Sequence, residues 1–190
     1  MKTKKEIQSI IDHLPSERFG RVNLPYGLHT KGLDRSPTRD MIFPASLKGK
    51  SVLDVGSAYG YLCFEAEDLG ATRVLGLEVK PPRLKRANLF KDLRESKVEF
   101  RNEDVTLFQL EEDFDYVVIL NVLHHLRTPK PKEVLEFLGR RAKEKLIVES
   151  PVSAMQMIDA LFEKVEYFPS VLTSKRKEQR QIAIIQTGKA

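Results

Sequence analysis

From Ser51 onward the sequence alternates between short β-rich runs and helical runs, and few folds accommodate that alternation. "SVLDVGS" (51–57) reads as a strand, followed by a helix from Gly60 to Leu69 with Gly70 as its stop. "RVLGLEV" (73–79) is a second strand, and "PRLKRANLFKDLRES" (82–96) a helix opened by prolines. "VEFRNED" (98–104) and "FDYVVILNV" (114–122) follow as strands, the latter apolar enough to be buried on both faces. "PKEVLEFLGRRAKE" (131–144) predicts a helix, "KLIVES" (145–150) a fifth strand and "VSAMQMIDALFEKV" (152–165) another helix. "VEYFPSVLTS" and "QRQIAIIQTG" flank the charged turn "KRKEQR" and read as an antiparallel hairpin. Parallel strands need crossover connections, which the helices supply. The expected fold is α/β, a doubly wound, mostly parallel sheet of seven strands closed by that terminal hairpin.

Two units of sequence are expected. Residues 1–48 hold an amphipathic helix, "KKEIQSIIDHL", with Ile7, Ile10, Ile11 and Leu14 on one face, and a loop-rich stretch, "NLPYGLHTKGLDRSPTRDMIF", placed as a lid or substrate segment. Residues 49–190 form the ligand-binding domain. A chain of 190 residues with 41% hydrophobic and 31% charged residues is ordinary for a globular protein. No apolar run reaches bilayer length and the start lacks a signal-peptide core, so a cytoplasmic location and no membrane partner are expected. Cys63 is the only cysteine, which excludes an internal disulfide and a cysteine-based zinc cluster.

The turn "LDVGSAYGY" (53–61) lies where open α/β sheets bind ligands, at the carboxyl end of a strand. A dinucleotide loop of the G-x-G-x-x-G type would need glycine where this chain has Ala58 and Tyr61. A phosphate loop would need a lysine after Gly60, and none is there. Asp54, two residues before Gly56, repels pyrophosphate and suits a cation. S-adenosylmethionine is such a ligand, carrying a sulfonium and an ammonium group. Glu78 ends the second strand, where a carboxylate can accept both ribose hydroxyls, and Asp104 ends the third, within reach of an adenine amino group. Three acids on three successive strand ends are more specific than any one of them.

With "VLDVGSAYG", "VLGLEV", "NEDV" and "FDYVVILNVLHHL" followed by the terminal hairpin, residues 49–188 resemble the class I S-adenosylmethionine-dependent methyltransferases, which have a Rossmann-like fold. The resemblance implies that Gly56, Ala58 and Gly60, with Ser57 among them, line the methionine part of the cofactor. It implies further that Glu78, beside Val79, holds the ribose, Asp104 and Val105 the adenine, and that Asn121 meets the cofactor from the end of the fourth strand.

Methyl transfer requires alignment of donor and acceptor and, for some acceptors, a base. His124 and His125 follow the fourth strand directly and His29 lies in the lid segment, so these three are the candidate catalytic residues. Metal binding by the histidine pair is not expected, because adjacent side chains should point apart and no third ligand is evident. "LKGKSVLDVGSAYGYLCFEAEDLGATRVLGLEV" and "VLHHLRTP" resemble the branch that contains the tRNA wobble-uridine carboxymethyltransferase and small-molecule O-methyltransferases. The tRNA enzyme has a Tyr and an Arg where this chain has His124 and Leu126, and a large N-terminal extension. The expected reaction is therefore ordinary methyl transfer to a hydroxyl or similar group of a small molecule.

A net charge of +5 and basic clusters at Lys80, Arg83, Lys85 and Arg86, at Arg127, Lys130 and Lys132, and at Lys175, Arg176 and Lys177 make RNA the second candidate acceptor. Sparse aromatics among those cations argue against it. A protein side chain ranks third. A non-catalytic cofactor sensor or scaffold is the alternative outside enzymes. The acceptor atom and the oligomeric state are not written in the sequence.

Overall fold

The computed structural model describes residues 2–15, 19–127, 130–170 and 179–188. The first helix, α1 (Lys4–His13), starts on a capping box in which the Thr3 hydroxyl accepts the Glu6 N–H and the Glu6 carboxylate accepts the Thr3 N–H. Ile7 and Ile11 are its buried face. A two-stranded antiparallel sheet follows, β1 (Asn23–Leu24) and β2 (Leu28–His29), and then α2 (Ser36–Ile42).

The large sheet is built from β3 (Ser51–Val55), β4 (Arg73–Leu77), β5 (Glu99–Arg101), β6 (Phe114–Leu120), β7 (Ala142–Pro151), β8 (Val165–Pro169) and β9 (Arg180–Gln186). Between them run α3 (Tyr61–Asp68), α4 (Pro81–Arg94), α5 (Pro131–Arg141) and the short α6 (Gln156–Asp159). The strand order is β5-β4-β3-β6-β7-β9-β8. Neighbours are parallel from β5 to β7, while β9 runs antiparallel to both β7 and β8. The order reverses at β3, so β3 and β6 open a crevice at their carboxyl ends. The doubly wound seven-stranded sheet and its terminal hairpin are as the sequence predicts.

Alternation along each strand sorts side chains to two cores. Val52, Val74, Val118, Ile147 and Ile182 pack on one face, against α3 and the N-terminal residues Ile7, Ile11, Val22 and Ile42. Leu53, Leu75, Val117, Leu146 and Ala183 pack on the other, against Leu135 and Leu138 of α5 and Ile158 of α6. Burial of each such side chain contributes about 2 kcal/mol. Residues 1–48 thus share a core with the sheet through their described part.

Three elements differ from expectation. Ser36–Ile42 is helical, where the sequence reads as loop. β7 begins at Ala142, taking three residues from the expected helix end, and a register irregularity between Phe114 and Tyr116 absorbs the extra length. The expected helix 152–165 is instead a 3₁₀ turn at Val152–Ala154 and the four residues of α6. Tertiary pairing overrides helix periodicity here: Val165 is drawn into register with Ile185, and the Val152 N–H donates to the Gln179 carbonyl at 3.1 Å. Residues 171–174 of the expected hairpin, and the cluster Lys175, Arg176 and Lys177, lie outside the described residues.

Candidate active site

Residues 56–60 leave β3 on alternate left-handed conformations, with φ of 79° at Gly56, 50° at Ala58 and 84° at Gly60. The N–H groups of Gly56 and Ser57 both donate to the Leu77 carbonyl, at 2.8 and 2.9 Å, which ties the turn to the end of β4. Above it lies a cavity of about 770 Å³, a size that suits a nucleoside ligand with a small partner. From the β3 turn, Asp54, Gly56, Ser57 and Ala58 line it; from the ends of β4 and β5, Glu78, Val79, Asp104 and Val105 do; from the end of β6, Asn121 and His125 do. Ten of the thirteen expected site residues are brought together there.

The other three are placed elsewhere. Gly60 caps α3 behind the cavity wall, where a Cβ would meet Phe100 Cζ at 2.4 Å and Phe64 Cε2 at 3.0 Å, so packing requires its glycine. His29 is exposed on β2, with Nδ1 3.1 Å from the Thr30 carbonyl oxygen, and does not line the cavity. His124 does not line it either. Nor do the paired rings point apart: a 3₁₀ turn over Leu123–His125 brings their centroids to 4.0 Å.

The acids differ in environment. Glu78 is 2% exposed; its Oε2 accepts the Ala58 N–H at 3.0 Å and its Oε1 the Lys80 N–H at 2.8 Å, while Arg83 Nη1 lies 3.7 Å away. Asp54 lies deeper. Burial pushes its carboxyl up to about 7, opposed by a hydrogen bond from Cys63 Sγ at 3.5 Å and by Arg35, and reinforced by Glu78. Asp104 caps the 3₁₀ turn Val105–Leu107 by accepting from the Thr106 N–H and hydroxyl through Oδ1. The hydroxyl of Ser57 is buried with no hydrogen-bond partner among the described residues. A buried unpaired hydroxyl is costly unless a ligand satisfies it, and with the nearby carboxylates the donor set fits a polar, positively charged nucleoside.

The N-terminal segment contributes three lining residues that the sequence reading did not single out: Phe19, Gly20 and Arg35. Leu33 and Phe19 share a backbone hydrogen bond of 2.8 Å, and the Phe19 ring lies edge-on to Tyr59 of the glycine turn at 4.9 Å and under the Arg83 guanidinium at 4.7 Å. Arg35 reaches across to Glu149 at the end of β7, at 2.8 Å, and Glu149 is fully buried. Proline in the first turn, "SPTRD", was the sequence signal for α2 and hence for the position of Arg35.

A methyltransferase-domain family profile matches residues 53–145. The chain is 30% identical to the tRNA U34 carboxymethyltransferase of Cellvibrio japonicus (strain Ueda107), over 90% of this chain and 57% of that protein. It thus spans little more than half of that relative's length. Among solved structures, the N-methyltransferase NodS from Bradyrhizobium japonicum WM9 superposes with a TM-score of 0.66 at 19% identity, covering 82% of this chain and 99% of the other. The magnesium protoporphyrin IX methyltransferase of Synechocystis PCC 6803 with bound SAM gives 0.62 at 18% identity, covering 74% and 71%. These two likenesses show the fold.

Proposed function

We propose that the chain is a class I S-adenosylmethionine-dependent methyltransferase that methylates a hydroxyl of a small molecule bound in the cavity above β3 and β6, a reading supported by the methyltransferase-domain match over residues 53–145. The observation that carries this reading is the buried Glu78 carboxylate at the end of β4, which accepts the Ala58 peptide N–H and so sets an acid beside the glycine turn where a cationic nucleoside would lie. In this reading Gly56, Ser57 and Ala58 hold the methionine part, Glu78 and Val79 the ribose, Asp104 and Val105 the adenine, and Asn121 the transfer end.

When bound, the cofactor supplies a methyl group on a positively charged sulfur, which is a good leaving group. The chain's own tasks are orientation and proton removal. Phe19, Gly20 and Arg35 line the cavity from the N-terminal segment and hold the ligands in place against the sheet end. His125, exposed at the mouth, accepts the acceptor's hydroxyl proton on a ring nitrogen as the new bond forms. Proton removal of this kind accounts for roughly a hundredfold or more in rate.

RNA is the second reading, supported by the tRNA-modifying relative and by Lys80 and Arg127, cavity-lining cations with no carboxylate partner among the described residues. Incubation with methyl-labelled cofactor, followed by separation of small molecules from tRNA, tests the choice. Label in the small-molecule fraction is expected. Label in tRNA alone would replace the first reading with the second, and no transfer to either pool would favour a cofactor-binding scaffold.

A further inference from the structure

The wall of the cavity at β6 and its N-terminal cover converge on one buried carboxylate that touches neither the cavity nor solvent. Glu149 Oε2 accepts from Arg35 Nη2 at 2.8 Å and from Asn121 Nδ2 at 2.5 Å, and Oε1 accepts from the Ser170 hydroxyl. The Asn121 N–H donates to the Glu149 carbonyl at 2.8 Å. Arg180 Nη1 donates to the amide oxygen of Asn121, so the amide's two ends are assigned by their partners. Asn121 is held at φ 59°, a left-handed conformation that asparagine tolerates better than most residues.

We infer that Glu149 is a positioning residue: it fixes the spacing between Asn121 and Arg35, and so sets the width of the transfer end of the cavity before any ligand arrives. The inference rests on the methyltransferase reading for its functional meaning, but its geometry stands apart from it. A carboxylate 0% exposed cannot exchange its partners for water, so loss of Arg35 would leave a buried charge without a counter-ion and loss of Asn121 an unfilled acceptor site on Oε2. The pair links residues 114 apart in sequence, and joins the cover to the sheet at the point where the cavity ends.

Glu65 provides the control. It is 5% exposed and holds Arg39 at 2.6 Å and Asn23 at 3.2 Å, pinning the same N-terminal segment to α3 without lining the cavity. Glu149→Gln and Glu65→Gln are therefore compared for thermal stability and for S-adenosylhomocysteine affinity. Both are expected to lower stability, whereas only Glu149→Gln lowers affinity, by about tenfold or more, the loss of one charge-assisted contact network. Arg35→Met combined with Glu149→Gln is expected to bind no more weakly than the weaker single variant, because both break one link. Wild-type affinity in Glu149→Gln, or additive losses in the double variant, would overturn the inference. Should Glu149→Gln fail to fold, or the wild type bind no S-adenosylhomocysteine, exchange of the Asn121 side-chain amide in the wild-type protein decides. Protection without ligand is expected, and rapid exchange there would show that the arrangement is not built in.

Discussion

Glu78 Oε2 accepts the N–H of Ala58 at 3.0 Å, which binds the acid at the end of β4 to the left-handed residue at the centre of the glycine turn. Its other oxygen holds the Lys80 N–H, so one carboxylate organises both the glycine turn after β3 and the approach to α4. Glu78→Gln keeps one acceptor and loses the other, at a cost of about 1–3 kcal/mol for the unsatisfied N–H. The expected outcome in urea unfolding is a lower midpoint with an unchanged slope, together with S-adenosylhomocysteine affinity reduced about tenfold or more.

Asp54 makes cofactor affinity and stability respond to pH in opposite directions. Its carboxyl is raised from 3.8 to about 7 by burial, so the folded chain holds a proton that the unfolded chain has released across that window. Stability from this group is full below pH 4 and is lost as the pH rises through about 7. A cationic ligand favours the ionised form. Affinity for S-adenosylmethionine should therefore rise with pH up to about 7, by at most about tenfold per unit, with proton release detectable as a buffer-dependent heat. Asp54→Asn is expected to raise the Tm at pH 8 while weakening binding and flattening its pH dependence.

Gly60 separates packing from binding. A methyl group there would fall 2.4 Å from Phe100 Cζ on a backbone at φ 84°. Gly60→Ala is expected to cost roughly 2–4 kcal/mol through overpacking and left-handed strain, read as a drop in the urea midpoint. The folded fraction should retain wild-type S-adenosylhomocysteine affinity, since the residue faces the phenylalanines and not the cavity.

The sheet was legible because short β-rich runs alternate with helical ones; in β3, β4, β7 and β9 both faces are buried, so neighbours such as Val52 and Leu53, or Ile147 and Val148, are apolar alike and enter opposite cores. The acids were legible for a related reason: Asp54 and Glu78 sit at the ends of apolar runs, where charge is conspicuous. Residues 152–165 misled because Met155 and Ile158 repeat at helical spacing, yet pairing of Val165 with Ile185 leaves room for only four helical residues. The Arg35–Glu149–Asn121 cluster was not legible as a cluster, since its members lie in three distant segments: Asn121 is expected at the cofactor, but nothing in the sequence joins Arg35 or Glu149 to it. The glycines of the turn looked alike in sequence, and only the surroundings of Gly60 reveal a different duty.

The histidines divide by position. His125 lines the cavity, whereas His29 is exposed on β2 away from it. Once an acceptor is identified, His125→Ala is expected to lower kcat about a hundredfold or more with little change in cofactor affinity. His29→Ala should retain full turnover. The reverse pattern would move the base to the N-terminal segment.

The central claim is that the cavity above β3 is a sulfur-nucleoside site. Calorimetric titration of the protein with S-adenosylmethionine and S-adenosylhomocysteine, with NADH and ATP as controls, tests it most directly. Saturable binding of both sulfur nucleosides and no heat from either control is the predicted result. Binding of NADH or ATP in their place, or no binding of any of the four, would contradict it.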